Sequence, residues 1–135
     1  MACLDTSFFL DLARANAPKR LRARAKLEEL TDRGETIATT RFNAAELYVG
    51  VNAATDIEAE EAKVRALLHG VEILEFDERA ARLFGVITSF LRLQGTPAGD
   101  MDVLIAATAL AAGHSVVTGN VDHFARIPGL RVETY

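Results

Sequence analysis

The sequence predicts an α/β fold in which helices cover both faces of a mostly parallel sheet. Short apolar or β-branched stretches alternate with longer stretches of helical periodicity along the 135 residues. Strands that are separated by helices need crossover connections, and such connections give parallel strands with helices packed on the sheet. No repeat, low-complexity segment or Pro-, Gly- or Ser-rich linker interrupts this pattern, so we expect a single domain over residues 1–135.

The first half of the chain predicts two strands and three helices. In order, these are strand 2–5, helices 6–15 and 19–33, strand 36–40 and helix 42–53. The Ala-Pro pair at 17–18 separates the first two helices, because proline cannot continue a helix without losing a hydrogen bond. Gly34 is a typical helix end, and the TIATT stretch that follows is β-branched, as strands often are.

The second half continues the alternation. In order, its predicted elements are helix 56–69, strand 71–76, helices 78–93 and 101–112, and strands 115–118 and 130–134. Helix 78–93 carries apolar residues at helical spacing, which gives it a wide apolar face for the core. Helix 101–112 (MDVLIAATALAA) is apolar nearly all round, so we expect it to be buried on most sides.

The composition is that of an ordinary globular protein, and it excludes several classes. A net charge of −4 argues against a protein that coats nucleic acid through general basicity. No apolar run has the length of a membrane span, and no secretory leader is recognisable, so we expect a cytoplasmic protein with no membrane partner. The single cysteine, Cys3, cannot form an intramolecular disulfide and leaves no cysteine-based zinc site.

Four carboxylates far apart in the sequence each stand beside an apolar element, and they are the candidate site. They are Asp5, Glu46, Asp102 and Asp122. In parallel α/β sheets, functional residues collect where strands end and helices begin. Asp5, Glu46 and Asp122 lie in or near such connections, and Asp102 opens the buried helix next to them. We therefore expect the fold to gather these side chains.

Each carboxylate also has a structural interpretation. Asp5 could cap the first helix, and Asp102 could complement the dipole of a helix that Asp100 caps. Asn120 and Asp122 are typical of tight turns. Glu46 lies in a run that is apolar on every side, where an unpaired carboxylate is costly, so it either pairs with a base such as Arg41 or faces a metal.

A cluster of these carboxylates favours metal-dependent chemistry. Two carboxylates about 5 Å apart repel by roughly 3 kcal/mol at an effective dielectric constant near 20, so several need protons or cations. Oxygen ligands suit Mg²⁺ or Mn²⁺, which can activate water for attack on a phosphodiester. The three histidines (His69, His114 and His123) are scattered, and the chain has no nucleophile elbow, P-loop or GxGxxG motif. A response-regulator domain would need a late lysine, and no lysine follows Lys63.

The four motifs together resemble the PIN-domain ribonucleases, specifically the VapC-type toxins of bacterial toxin–antitoxin pairs. The matching stretches occur in order over nearly the whole chain: LDTSFFLDL, AAELYVGV, GDMDVLIAATAL and VVTGNVDHFARIPGLRVE. The resemblance implies a PIN-like three-layer α/β/α sandwich with a short central parallel sheet. It also implies a Mg²⁺- or Mn²⁺-dependent endoribonuclease that is a homodimer and is neutralised by a small antitoxin protein.

The resemblance assigns roles by position. Asp5, Glu46 and Asp102 match the metal ligands, and Thr6 and Thr118 match small hydroxyl residues that support such sites. The fourth acidic position departs from the family pattern, because Asn120 and His123 stand where relatives have acids. Asp122, shifted by one residue, is the predicted supplementary catalytic acid, with Asn120 as a neutral substitute.

Two functional hypotheses follow from these residues. In the first, the chain cleaves RNA, and the basic run between Arg14 and Lys26, including Lys19 and Arg20, guides the RNA backbone toward the metal. This run could equally be a solvated helix face. In the second, the chain keeps the PIN architecture but binds RNA or a protein partner without efficient cleavage, as the altered fourth position would suggest.

Overall fold

Five parallel strands form one sheet at the centre of the molecule, in the order β3-β2-β1-β4-β5. We describe a computed structural model, which covers residues 1–15 and 17–135. The strands are β1 (Ala2–Leu4), β2 (Ile37–Thr40), β3 (Glu72–Leu74), β4 (Ser115–Val117) and β5 (Val132–Glu133). The predicted parallel sheet is thereby confirmed, and β1 lies at its centre.

Helices cover both faces of this sheet, which confirms the three-layer α/β/α sandwich. They are α1 (Thr6–Ala13), α2 (Ala17–Asp32), α3 (Arg41–Ala53), α4 (Ile57–Leu68), α5 (Glu78–Leu93), α6 (Asp100–Ala111) and α7 (Val121–Phe124). Because side chains alternate along a strand, Ala2 and Leu4 pack into one apolar cluster with α1, α2 and α4. Cys3 points into the other cluster, with α5 and α6.

The predicted elements differ from the observed ones mainly at their ends. Helix α2 begins at Ala17, so Pro18 lies inside its first turn instead of before it. Proline is well tolerated there, because the first N–H groups of a helix have no partner within the helix. The four-residue helix α7 was not predicted, and most strands are shorter than their apolar stretches.

The connections after β1, β2 and β4 bring polar side chains to the carboxyl edge of the sheet. Each of these strands leads directly or through a few residues into α1, α3 or α7. At the start of α3, the Thr40 hydroxyl accepts a hydrogen bond from the Asn43 backbone N–H, and the Asn43 side-chain oxygen accepts one from the Thr40 N–H. This capping box fixes the direction in which α3 leaves the sheet.

Within the described ranges, 1–15 and 17–135, none of the helices combines the length and the apolar character that crossing a bilayer requires. The strongly apolar helix α6 has only 12 residues, and six of its residues are buried against the sheet and α5. Its apolar character is therefore explained by the core of this chain.

Candidate metal centre

A polar pocket of about 300 Å³ opens at the carboxyl edge of the sheet. Three of the predicted carboxylates line it, namely Asp5, Glu46 and Asp102. The remaining lining side chains are Thr6, Ser7, Leu10, Asn120 and His123. The fold therefore gathers three acids that are 41 and 56 residues apart in sequence (46 − 5 and 102 − 46).

Asp5 is buried, and its carboxylate accepts hydrogen bonds from side chains on three different segments of the chain. One carboxylate oxygen accepts a hydrogen bond from the Asn43 amide at 3.0 Å. The other accepts hydrogen bonds from the hydroxyls of Thr118 at 2.8 Å and Ser7 at 3.2 Å. Asp5 occupies the cap position of α1 but makes no capping hydrogen bond with its side chain, so helix capping does not explain it. An ionised carboxylate has about four acceptor positions, which leaves capacity for a cation.

Glu46 is half-buried beside Asp5 on the third helix. Its carboxylate accepts a hydrogen bond from the Thr6 hydroxyl at 2.8 Å, and Thr6 in turn accepts one from the Asn43 amide at 3.0 Å. Burial raises the pKa of Glu46, the Thr6 hydrogen bond opposes the rise, and repulsion from Asp5 and Asp102 adds to it. The alternative that Arg41 neutralises Glu46 is wrong, because the Arg41 guanidinium pairs with Glu75.

Asp102 closes the pocket from the first turn of α6. Burial raises its pKa, the nearby His123 lowers it, and the charge of Asp5 raises it again. The Nδ1 atom of His123 lies 3.3 Å from a carboxylate oxygen of Asp102. The N-cap of α6 is Gly99 and no side chain caps this helix, so capping by Asp100 is not observed.

The donor set fits a hard divalent cation that keeps part of its water. Burial raises the pKa of Glu46 and of Asp102, and the charge of Asp5 adds to both rises, so a bound cation would stabilise the ionised form of these carboxylates. Within the described part of the chain, no three acidic, histidine or cysteine side chains already converge around one point. Mg²⁺ does not require such a cage, because it binds through one or two carboxylates and retains several waters.

The fourth corner of the pocket is formed by Asn120 and His123, while the predicted acid lies elsewhere. Asp122 is exposed on α7 and is not among the side chains that line the pocket. Thr118 is fully buried behind the pocket, where its hydroxyl donates to Asp5 and accepts from the Asn120 N–H at 2.9 Å. Thr6 and Thr118 thus both contact a pocket carboxylate directly.

The basic residues proposed to guide RNA do not line this pocket. Helix α1 runs away from Asp5 for eight residues, or about 12 Å, so Arg14 lies beyond its far end and faces Asp11 at 3.6 Å. Lys19 and Arg20 are exposed near the start of α2 and are not among the side chains that line the pocket.

Asn43 and Ser7 contact the pocket carboxylates, yet the sequence did not single them out. Asn43 is fully buried and links Asp5, Thr6 and Thr40. One signal was available, because Asn43 lies three residues before Glu46 and therefore on the same helix face, next to a stretch, 44–51, that is apolar apart from Glu46. The Ser7 hydroxyl, which accepts a hydrogen bond from the Gly119 N–H at 3.0 Å, gave no comparable signal.

Comparisons with known proteins match most of the chain. The PIN domain family model matches residues 2–130. Over 120 residues the chain is 34% identical to the tRNA(fMet)-specific endonuclease VapC of Salmonella typhimurium, covering 89% of this chain and 87% of that protein. It is 33% identical over 107 residues to ribonuclease VapC2 of Rickettsia felis, covering 79% of this chain and 80% of that protein.

Solved structures of VapBC complexes share the fold over almost the full chain. The crystal structure of VapBC2 from Rickettsia felis bound to a promoter DNA fragment aligns with a TM-score of 0.88 at 30% identity, covering 99% of this chain and 98% of that chain. The DNA-bound VapBC from Salmonella typhimurium aligns with a TM-score of 0.83 at 30% identity, covering 98% and 96%. The chain therefore belongs to the PIN domain family, as a ribonuclease of the VapC type.

Proposed function

We propose that this VapC-type ribonuclease hydrolyses RNA phosphodiester bonds at the pocket of Asp5, Glu46 and Asp102, with Mg²⁺ or Mn²⁺ as its cofactor. The observation that carries the proposal is that all three carboxylates line the same polar pocket. PIN-domain ribonucleases depend on divalent metal, and the all-oxygen character of the acids favours Mg²⁺ or Mn²⁺ over softer cations. When bound, such a cation neutralises charge at the phosphate and lowers the pKa of water enough to supply a nucleophile.

The residues of this chain would bind the cation and fix its position. Asp5 presents a carboxylate that three hydrogen bonds hold in one orientation. Thr6 orients Glu46 through a hydrogen bond, and His123 contacts Asp102. Because these contacts are already formed, little reorganisation would be needed when the phosphate arrives, and such preorganisation is the main contribution of a protein to metal-assisted hydrolysis.

The partners proposed for this chain follow its relatives. VapBC complexes among the structural neighbours support a small antitoxin protein as partner, and the ribonuclease relatives support RNA as substrate. A homodimer remains a prediction. The exposed side chains of Val86, Phe90 and Leu93 on α5 offer an apolar surface for one. A cytoplasmic location and a single domain over residues 1–135 likewise remain predictions.

Removing one central carboxylate tests the proposal. We expect Asp102→Asn to reduce Mg²⁺- or Mn²⁺-stimulated RNA cleavage by at least about 100-fold, because the variant loses a negative ligand without losing its shape. Asp100→Asn is the matched control: it removes an acid from the same helical turn, but one that does not line the pocket. Equal cleavage by the two variants, each purified free of contaminating nuclease, would refute the assignment.

The alternative of a binding module without cleavage is favoured by one observation, the absence of Asp122 from the pocket lining. Calorimetric titration with Mn²⁺ separates the two functions. A ribonuclease should take up Mn²⁺ with an affinity that drops in Asp102→Asn, whereas a module that only binds RNA or protein need show no uptake.

A further inference from the structure

A second polar pocket, of about 220 Å³, adjoins the metal centre. The two pockets share Asp102 and His123, so the His123 imidazole forms a wall between them. The other residues around the second pocket are Pro97, Ala98, Gly99 and Arg126. Nothing in the motifs that identified the metal centre assigns a role to this second pocket.

The charges around the two pockets raise a problem for RNA binding. Asp5, Glu46 and Asp102 make the metal centre strongly negative, while each nucleotide of an RNA strand brings another negative phosphate. A bound cation neutralises only the phosphate in contact with it. The neighbouring phosphate needs a cation of its own, and Arg126 is the only lysine or arginine that lines either pocket in the described part of the chain.

Arg126 is available for such a contact. One guanidinium nitrogen donates to the Pro97 carbonyl at 3.4 Å, which connects the segment after α7 to the loop before α6. Within the described residues Arg126 enters no ion pair, in contrast to Arg33, Arg41 and Arg82. A guanidinium has five N–H donors, so most of those on Arg126 remain free to bind a phosphate.

His123 extends this surface toward the metal centre. Its imidazole is 58% exposed, and its contact with Asp102 holds the ring between the two pockets. An RNA strand that places one phosphate at the acids and passes over His123 would bring the next phosphate to Arg126. The planar guanidinium can hold a phosphate through two parallel hydrogen bonds, which a lysine cannot do.

We propose that Arg126, with His123 beside it, binds the RNA phosphate that neighbours the cleaved one. This inference rests on the proposed function, since it assumes that RNA occupies the metal centre. It replaces the basic run from Arg14 to Lys26 as the cationic contact for substrate, because no residue of that run lines either pocket, whereas Arg126 lines the second one. Arg126 is in this view a substrate-binding residue that orients the strand.

The salt dependence of RNA binding tests this subsite. Binding of a short fluorescein-labelled oligouridylate is measured by anisotropy over a range of salt concentrations in Ca²⁺, which binds carboxylate oxygens but activates water less than Mg²⁺. The oligonucleotide is checked afterwards to be intact. We expect Arg126→Gln to weaken binding about tenfold at low salt. It should also flatten the slope of log K against log salt by about 0.7, the contribution of one phosphate contact on a single strand. Arg126→Lys should keep most of the slope, because it keeps the charge.

Arg131→Gln is the matched control. Arg131 is exposed just before β5, at the edge of the sheet opposite the pockets, so its loss should change neither affinity nor slope. Equal binding by Arg126→Gln and Arg131→Gln would overturn the subsite. A weaker affinity with an unchanged slope would also overturn it, since that pattern would mean a displaced loop instead of a lost phosphate contact.

Cleavage by the unsubstituted chain separates this inference from the proposed function. If that chain cleaves RNA with Mn²⁺ but Arg126→Gln binds RNA normally, only the subsite fails. If Arg126→Gln loses affinity and slope but no cleavage is seen with any divalent cation, the subsite stands and the hydrolytic function fails. Absence of RNA binding by the unsubstituted chain would refute both.

Discussion

The Asp5 corner and the His123 corner of the same pocket are built in opposite ways. Asp5 is 6% exposed and receives hydrogen bonds from three side chains on three different segments. His123 is 58% exposed and makes one contact with a pocket side chain, to Asp102. The Asp5 corner is therefore fixed before anything binds, whereas the His123 corner faces the solvent from which cation and RNA must enter.

This difference indicates a division of labour within the pocket. Buried, fully hydrogen-bonded polar groups position a site but are costly to disturb, because a group that loses its partner is left unsatisfied. Exposed groups contribute little to folding and are free to contact ligands. Substitutions at the Asp5 corner should therefore mainly lower the free energy of unfolding. Substitutions at the His123 corner should change RNA binding and cleavage with little effect on stability.

The largest expected effect is at Asn43, which holds the Asp5 corner together. We expect Asn43→Leu, a substitution of similar size, to lower the free energy of unfolding by about 2–3 kcal/mol, because Asp5 and the Thr40 cap lose their partner in a buried site. Asn120→Leu applies the same change at the exposed corner and should cost less than about 0.5 kcal/mol. Urea denaturation measures both, and similar losses would contradict the division between corners.

The same contrast explains which parts of the site could be predicted from sequence. Asp5, Glu46 and Asp102 stand out because each is an acid in an apolar stretch, and a buried acid needs a reason. Asn43 is neutral, and asparagine near a helix start is ordinary, so its contacts with Asp5 and Thr6 appear only when β1 and β2 lie side by side. The strand and helix pattern is local and was therefore largely predictable.

The exposed corner was predicted less well for a physical reason. The stretch from Thr118 to Phe124 carries turn-forming residues, and the sequence does not reveal that α7 forms there. A single helical turn decides which of Asn120, Asp122 and His123 faces the pocket, since residues two apart lie on different sides of a helix. Sequence spacing favoured Asp122, whereas α7 presents Asn120 and His123 to the pocket.

Substitution of Glu46, whose pKa is raised mainly by burial, should have an effect of intermediate size on the free energy of unfolding, and this effect should depend on pH. A carboxyl group with a higher pKa in the folded state contributes most to stability below its unfolded pKa of about 4.3, and this contribution is lost as pH rises through the folded pKa. In EDTA, Glu46→Gln should therefore raise the free energy of unfolding at about pH 7 relative to the unsubstituted chain. At about pH 4 the two should be nearly equal.

Saturating metal should make the unsubstituted chain more stable than Glu46→Gln at about pH 7, because a cation stabilises the ionised carboxylate that the variant lacks. Urea denaturation with and without saturating Mn²⁺ checks both parts of this expectation. Glu28→Gln, at an exposed position of α2, serves as the control. It should change neither the free energy of unfolding in EDTA nor the stabilisation by Mn²⁺. A Glu46→Gln variant that is less stable than the unsubstituted chain in EDTA at neutral pH would mean that Glu46 has a stabilising partner and is not poised for a cation.

The smallest expected effect is at Asp122, and it decides which residue occupies the fourth corner. Because Asp122 is exposed on α7 and does not line the pocket, Asp122→Asn should leave cleavage within about twofold and stability within about 0.5 kcal/mol. His123→Gln should lower cleavage several-fold at similar stability, since it removes a side chain that borders both pockets. A large loss of cleavage in Asp122→Asn would require α7 to turn when metal or RNA binds, which would make the exposed corner a moving part of the site.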